Sequence, residues 1–255
     1  MQIKNYGFIP PYIQEQEHVL GANTVLPDEN LQWDGQWGAF LPLYEPQAEK
    51  YETWGCTIWG SENQVETYFK RRFGFEPNYD EGFIYNLAEV GEPGANPQDI
   101  YEIERKNGFI NNRPIPDSYE EFSKRPVSDN FIAEGKKWLA EYKLRHSWIF
   151  YPTATLAYKQ EQLIKNLVHS PIGVSVVAWR ERNEKYWKNI GEPDTHWCLC
   201  IGYVLGEYWL IFDSYDHSIK KLEWGYDFGY AKRIYVEQLT GNKQKKSWLS
   251  KLWCK

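Results

Sequence analysis

Apolar and polar positions along this chain follow two periods, and the change between them divides it. In NQVETYFKRR (63–72), Val65, Tyr68 and Phe69 fall at i, i+3 and i+4, the spacing of one helix face. Lys70, Arg71 and Arg72 stand near the far end of that stretch, where the helix dipole favours positive charge. NPQDIYEIERKNG (96–108) predicts a second helix, with Asn96 as cap, Pro97 in the first turn, Ile100 and Ile103 inward and Gly108 as stop. SDNFIAEGKKWLAEYK and YKQEQLIKNLVHS add two shorter amphipathic segments. From about residue 171 the period becomes that of strands. PIGVSVVAW (171–179), HWCLCIGYV (196–204), EYWLIFDSY (207–215) and YAKRIYVEQL (230–239) follow one another, with LGE as a short hairpin connection. The first 50 residues, rich in Pro, Gly, Asn and aromatic side chains, keep neither period and predict an irregular arm crossing the domain surface. Helices first and antiparallel strands second make an α+β plan with two lobes, and a cleft is expected at their junction.

Composition narrows what such a chain can do. At 255 residues and 30.3 kDa it is long enough to bury a sizeable core without disulfide support. Its four cysteines, Cys56, Cys198, Cys200 and Cys254, are too few and too unevenly placed for a secreted disulfide framework, so reduced thiols are expected. No stretch approaches the ~18 apolar residues that span a bilayer, and the first residues hold no apolar run of signal-peptide length. A soluble protein folded in a cytoplasm is the expectation. The net charge of −6 hides an asymmetry, since residues 1–120 carry −12 and the remainder +6. An acidic chain without zinc-finger, Walker or dinucleotide patterns is not expected to bind nucleic acid, and no metal or cofactor is called for. The 13 Trp, 19 Tyr and 12 Phe suit a ring-lined groove as well as an ordinary core. At the end of the chain KKSWLSKLWCK (245–255) sets Trp248, Leu249, Leu252 and Trp253 on one helical face among lysines. That pattern fits weak docking to a membrane or partner, and equally a disordered end.

A cysteine nucleophile needs a helix amino terminus or a cation to hold its thiolate, a histidine to pair with it, and a third group to orient the histidine. Cys56 lies at or just before the amino end of the first helix, His196 opens a strand, and Asp213 ends the next. Because 196–204 and 207–215 form a hairpin, the start of one strand lies beside the end of the other, which brings His196 and Asp213 together. Each residue alone has an ordinary structural role: core thiol, solvated histidine, turn aspartate. Their combination points to nucleophilic catalysis.

These residues carry a resemblance to papain-like cysteine peptidases, in particular the divergent versions encoded by bacteriophages, running from about residue 33 to 237. WGAFLPLYEPQ followed by WGC resembles the family's tryptophan-containing approach, oxyanion glutamine and nucleophile. GEPGANPQDIYEIERKNG resembles its glycine-bearing loop and helix, SPIGVSVVAW its Gly-Pro-Val-Ser-Val strand, and HWCLCIGYVLGEYWLIFDSY its histidine strand and the strand delivering Asn-Ser-Trp. The resemblance implies Cys56 as nucleophile, His196 as general acid and base, and Asp213 where the family has asparagine. It also implies Gln47 as oxyanion donor beside the Cys56 backbone N–H. Tyr215 matches the tryptophan that shields the histidine's partner. Gly94 matches a bare-backbone glycine that pairs with an extended substrate, and Trp54 and Gly55 flank the nucleophile.

On this resemblance the chain divides into an arm (1–32), a catalytic domain (33–240, with a helical lobe at about 47–145 and a β lobe at about 146–240) and a tail (241–255). The partner implied is a peptide or protein substrate, of host, virion or cell-wall origin, and the location a host cytoplasm or a virion. Three departures stand out. Gln47 is farther from Cys56 than usual, Thr53 replaces a customary cysteine, and Asp213 in place of asparagine is expected to stabilise imidazolium and move the thiolate window upward in pH. The arm is the one segment that could occlude the cleft, or it packs on the back of the domain. A transglutaminase-like acyltransferase, favoured by the literal aspartate but not by Thr57 where tryptophan is common, and a non-catalytic virion or host-interaction protein keeping the fold stay open.

Overall fold

Helix α1, Cys56–Phe73, begins well ahead of its most periodic stretch and is buried from Cys56 through Phe69. The computed structural model describes residues 4–12, 26–43, 46–216 and 218–239. The tail expected at 241–255, with Cys254, and the middle of the arm (13–25) lie outside the described residues. A polar side chain on a helix buried on all sides needs partners, and Gln64 of α1 has three. Its Nε2 donates to the carbonyls of Pro171 at 2.7 Å and Lys232 at 3.0 Å, while Tyr101 Oη donates to its Oε1. Gly60 allows the closest approach to the sheet, because a Cβ there would stand 2.7 Å from the Trp197 ring.

Around α1 stand α2 (Glu81–Leu87), α3 (Pro97–Asn107), α4 (Tyr119–Ser123) and α5 (Asp129–Glu141). The cap and stop expected of α3 are both present. Asn96 accepts from the Gln98 N–H at 2.8 Å, and Gly108 has φ +71° and leaves no room for a Cβ beside the Gly135 carbonyl. α5 ends earlier than its amphipathic pattern, because Tyr142 and Lys143 belong instead to strand β1 (Tyr142–Trp148). After α6 (Leu156–Leu167) come β2 (Ile172–Val176), β3 (Glu181–Arg182), β4 (Lys185–Tyr186), β5 (His196–Val204), β6 (Tyr208–Asp213), β7 (Ser218–Glu223) and β8 (Ala231–Gln238). The sheet order is β1-β8-β2-β5-β6-β7-β4-β3, antiparallel throughout except for the single β4–β7 pair.

Two hydrophobic clusters result. One, with Val65, Trp148, Val174, Trp197 and Ile211, fills the space between α1 and the sheet; the other, with Ile58, Trp59, Phe83, Ile100 and Phe122, lies among the helices. Cys56, at the start of α1, therefore lies where the two meet. The described part of the arm is irregular as expected, and at Gly7 and Phe8 it turns inward from the surface. Phe8 is 1 % exposed and stacks on Trp197 at 6.1 Å, while Ala95 N–H donates to the Gly7 carbonyl at 2.9 Å and Ile9 N–H to the Ala95 carbonyl at 3.1 Å. Burying an aromatic side chain and satisfying main-chain groups draws the arm inward. Among the described residues no helix is long and apolar enough to cross a membrane.

Candidate active site

Strand pairing delivers the histidine and its acid. β2 pairs Val176 with His196, and β6 pairs Asp213 with Ser218 of β7, so His196 opens β5 at the same end of the sheet where Asp213 closes β6. His196 Nε2 lies 2.7 Å from Asp213 Oδ1, both side chains fully buried. The other ring nitrogen, Nδ1, is buried with no hydrogen-bond partner. Tyr6, Trp179 and Tyr215 wall the imidazole at ring-centroid distances of 4.9, 5.9 and 6.4 Å.

Cys56 is a free, buried thiol at the first position of α1, as are Cys198 and Cys200 elsewhere. Gly55 is the N-cap and contributes no side chain, because a Cβ there would meet the Trp59 ring at 2.5 Å. The sulfur takes a main-chain hydrogen bond from Trp197, next to His196. Burial pushes this thiol far above its usual range; the Trp197 bond opposes that, and the charges of Asp213 and Glu52 add to it.

Residues of the arm pack against His196 and Gln47. Tyr6 N–H donates to the Thr195 carbonyl at 3.0 Å, and Gln47 Nε2 donates to the Tyr6 carbonyl at 3.2 Å. The loop that carries Gln47 folds back onto Ser214 and Thr53. The Gln47 N–H donates to the Ser214 carbonyl at 2.9 Å, and its own carbonyl accepts from Thr53 Oγ1 at 3.3 Å. Gly7 passes between Trp54 and Gly94: a Cβ on Gly7 would lie 1.7 Å from the Trp54 carbonyl oxygen, and one on Gly94 2.0 Å from the Gly7 oxygen. Gly94 thus lines the arm's path as a bare backbone, although the main-chain pairing falls on Ala95. The Trp54 ring turns away onto Tyr119 at 5.4 Å. Tyr215 packs edge-on against Tyr6 at 4.3 Å, and its hydroxyl donates to Glu52 Oε2 at 3.0 Å. Lys4 Nζ completes this end of the cleft, 2.6 Å from Glu52 and 2.9 Å from the Tyr215 hydroxyl.

Sequence reading named Tyr215 but missed Trp179 and Lys220 among the groups that hold Asp213. Trp179 Nε1 donates to its Oδ2 at 2.8 Å, Lys220 Nζ lies 2.9 Å from the same oxygen, and Tyr215 N–H donates to Oδ1 at 3.0 Å. Burial alone would raise the Asp213 carboxyl, but His196 and Lys220 hold it well below the usual carboxylate range. Lys220 had a visible signal: in SIKKLE it alternates in phase with buried Leu222, while Ile219 points outward. The donor atoms of His196, Cys198 and Asp213 lie within 4.8 Å of one another. That spacing would suit a cation, but the Lys220 ammonium already supplies positive charge at Asp213, so the trio does not fit a metal.

No protein-family model matches this chain, and no curated relative matches it in sequence. Solved structures do match it in three dimensions. The digestive procathepsin L2 proteinase of Tenebrio molitor larval midgut superposes with a TM-score of 0.56 at 14 % identity, over 91 % of this chain and 78 % of that one. The proform of the ragweed pollen allergen Amb a 11, a cysteine protease, gives 0.55 at 13 %, over 86 % and 69 %. The bromelain protease of Ananas comosus, in complex with the E64 inhibitor, gives 0.55 at 15 %, over 79 % and 98 %. At such identities the likeness is one of fold, and the fold of this chain is the papain-like, two-lobed α+β fold.

Proposed function

We propose that this protein is a cysteine peptidase or amide hydrolase whose resting cleft is filled by its own residues 4–9. The observation that carries the reading is the hydrogen bond from Gln47 Nε2 to the Tyr6 carbonyl, beside the buried His196–Asp213 pair. A main-chain carbonyl already sits at the donor that a developing oxyanion would use. Asp213 orients His196 through Nε2, which leaves Nδ1 for the Cys56 thiol. Once the arm is displaced, water and substrate enter and the desolvation that keeps Cys56 neutral is relieved. Cys56 passes its proton to His196 Nδ1 as Sγ attacks the scissile carbonyl, and the imidazolium returns that proton to the leaving amine as the C–N bond breaks and the acyl-enzyme forms. Water, deprotonated by His196, releases the acid and restores the thiol. The first turn of α1 and Gln47 stabilise the oxyanion in both steps. Donors of this kind are typically worth about 3–4 kcal/mol each.

The test is labelling by a cysteine-directed epoxide together with hydrolysis of a fluorogenic peptide amide. Wild type is expected to label slowly at Cys56 and arm-displaced variants quickly, with Cys56→Ala and His196→Ala inactive. A primary amine added as second acceptor distinguishes hydrolysis from the acyl-transfer alternative. Absence of labelling at any cysteine, even with the arm displaced, would overturn the reading in favour of a non-catalytic protein.

A further inference from the structure

We propose that Lys220 is a positioning residue whose ammonium neutralises Asp213, so that His196 meets a partner with no net charge even though that partner is an aspartate. The inference rests on the reading of Cys56 and His196 as the reacting pair. It resolves a difficulty in that reading, because a buried anion beside the imidazole would stabilise imidazolium excessively and hold back proton transfer to the leaving group.

The carboxylate of Asp213 takes five donors, the weakest of them the Cys198 thiol, 3.8 Å from Oδ1. Oδ1 takes His196 Nε2 and the Tyr215 N–H; Oδ2 takes Trp179 Nε1 and Lys220 Nζ. The two partners are as buried as each other, with side-chain exposures of 3 % for Lys220 and 0 % for Asp213. A fully buried carboxylate without a counter-charge is strongly disfavoured, and so is a buried ammonium. Lys220 is built into this position rather than draped over it. It occupies an inward site of β7, and its remaining donors go to Asp216 at 2.5 Å and to Ser218 Oγ at 2.6 Å, with the Trp179 ring 4.9 Å away. Burial would lower its proton affinity, but Asp213 and Asp216 hold it above the ordinary value for lysine. Asp216 is 48 % exposed, so water screens its charge, and the field at His196 is set by the buried pair. The other titratable groups around the His196–Asp213 pair are the thiols of Cys56 and Cys198 and the phenols of Tyr6, Tyr186 and Tyr215. Lys4 and Glu52 form a further pair that neutralises itself.

The test is a charge cycle read by the pH dependence of Cys56 alkylation with iodoacetamide and, separately, of kcat/KM. Lys220→Met leaves Asp213 uncompensated and should move the upper transition of both profiles upward by roughly one to two pH units. Asp213→Asn leaves the ammonium uncompensated and should move it downward by a similar amount. The double variant, with a neutral pair, should return to within about half a unit of wild type, and Lys220→Arg should stay there throughout. If Lys220 serves only to pack the strand, Lys220→Met lowers the melting temperature without moving the transition, and the double variant shows the sum of the single losses; either result overturns the proposal. Should Lys220→Met fail to fold, the comparison of Asp213→Asn with the double variant still decides. The alkylation profile is readable without turnover, so failure of this inference and failure of the hydrolase reading give different results.

Discussion

Gly7→Ala should turn the closed protein into an open one. Gly7 has φ +104°, a backbone conformation alanine rarely adopts, and its added methyl would meet the Trp54 carbonyl oxygen at 1.7 Å and carbon at 2.3 Å. Both are main-chain atoms at the approach to Cys56, so no side-chain rotation relieves the clash and the arm segment has to leave. The conformational cost for a residue other than glycine there is about 1–3 kcal/mol. Opening gives up the Ala95–Gly7 and Ile9–Ala95 main-chain hydrogen bonds in wild type and variant alike, so they cancel from the comparison. Taking about 3 kcal/mol for the strain and clash that fall on the closed state alone, the open fraction rises on the order of 100-fold, up to the ceiling of full opening. Apparent kcat/KM for a short fluorogenic peptide rises by the same factor, because only the open fraction binds. Gly91→Ala is the control: a Cβ there meets nothing nearer than Pro93 Cδ at 3.8 Å. A Gly7→Ala protein that melts as wild type does and hydrolyses the peptide within twofold of it would refute the reasoning.

Other outcomes follow from the ionisable groups. Glu52 is held below the ordinary carboxylate range; burial opposes this, but Lys4, the Trp54 N–H and the Tyr215 hydroxyl outweigh it. Its contribution to arm closure is thus full above the ordinary glutamate value and is lost as pH falls through the lower, folded-state value. Acid should therefore open the arm and speed epoxide labelling at Cys56, and Glu52→Gln should label faster at neutral pH with a weaker acid response; an unchanged response would dismiss the Glu52–Lys4 latch. Glu104 is fully buried, accepts from Ser61 Oγ, and is pushed up to about 8 by burial. Its protonated form is favoured in the folded state, so stability is lost as pH rises from the ordinary glutamate value through about 8. Glu104→Gln should thus stabilise the protein by about 2–3 kcal/mol at neutral pH and hardly at all near pH 4, measured by denaturant melts; equal effects at both values would show the site is not protonated as described.

Much of this architecture was legible in the chain. Val65, Tyr68 and Phe69 marked the face of α1, Asn96 and Gly108 the ends of α3, and the β5–β6 hairpin the meeting of His196 with Asp213, because helix period, caps and hairpins are local properties that survive into any packed context. Strand β1 escaped, since YKLRHSW carries charges between its inward residues and becomes a strand only when β8 pairs with it. The same holds for β7, whose inward lysine reads as a solvated residue until strand pairing brings the Asp213 carboxylate beside its ammonium.

Local patterns along the chain carry the α+β order of elements, the thiol at a helix start, and a histidine and an aspartate joined by one hairpin. Long-range packing sets Tyr6 beside His196 and Gly7 beside Gly94, brings Gln47 to the Tyr6 carbonyl, and puts the Lys220 ammonium on Asp213. Each of these contacts joins residues far apart in the chain, and its energy comes from burial and from pairing inside a space that exists only once both lobes have closed around it.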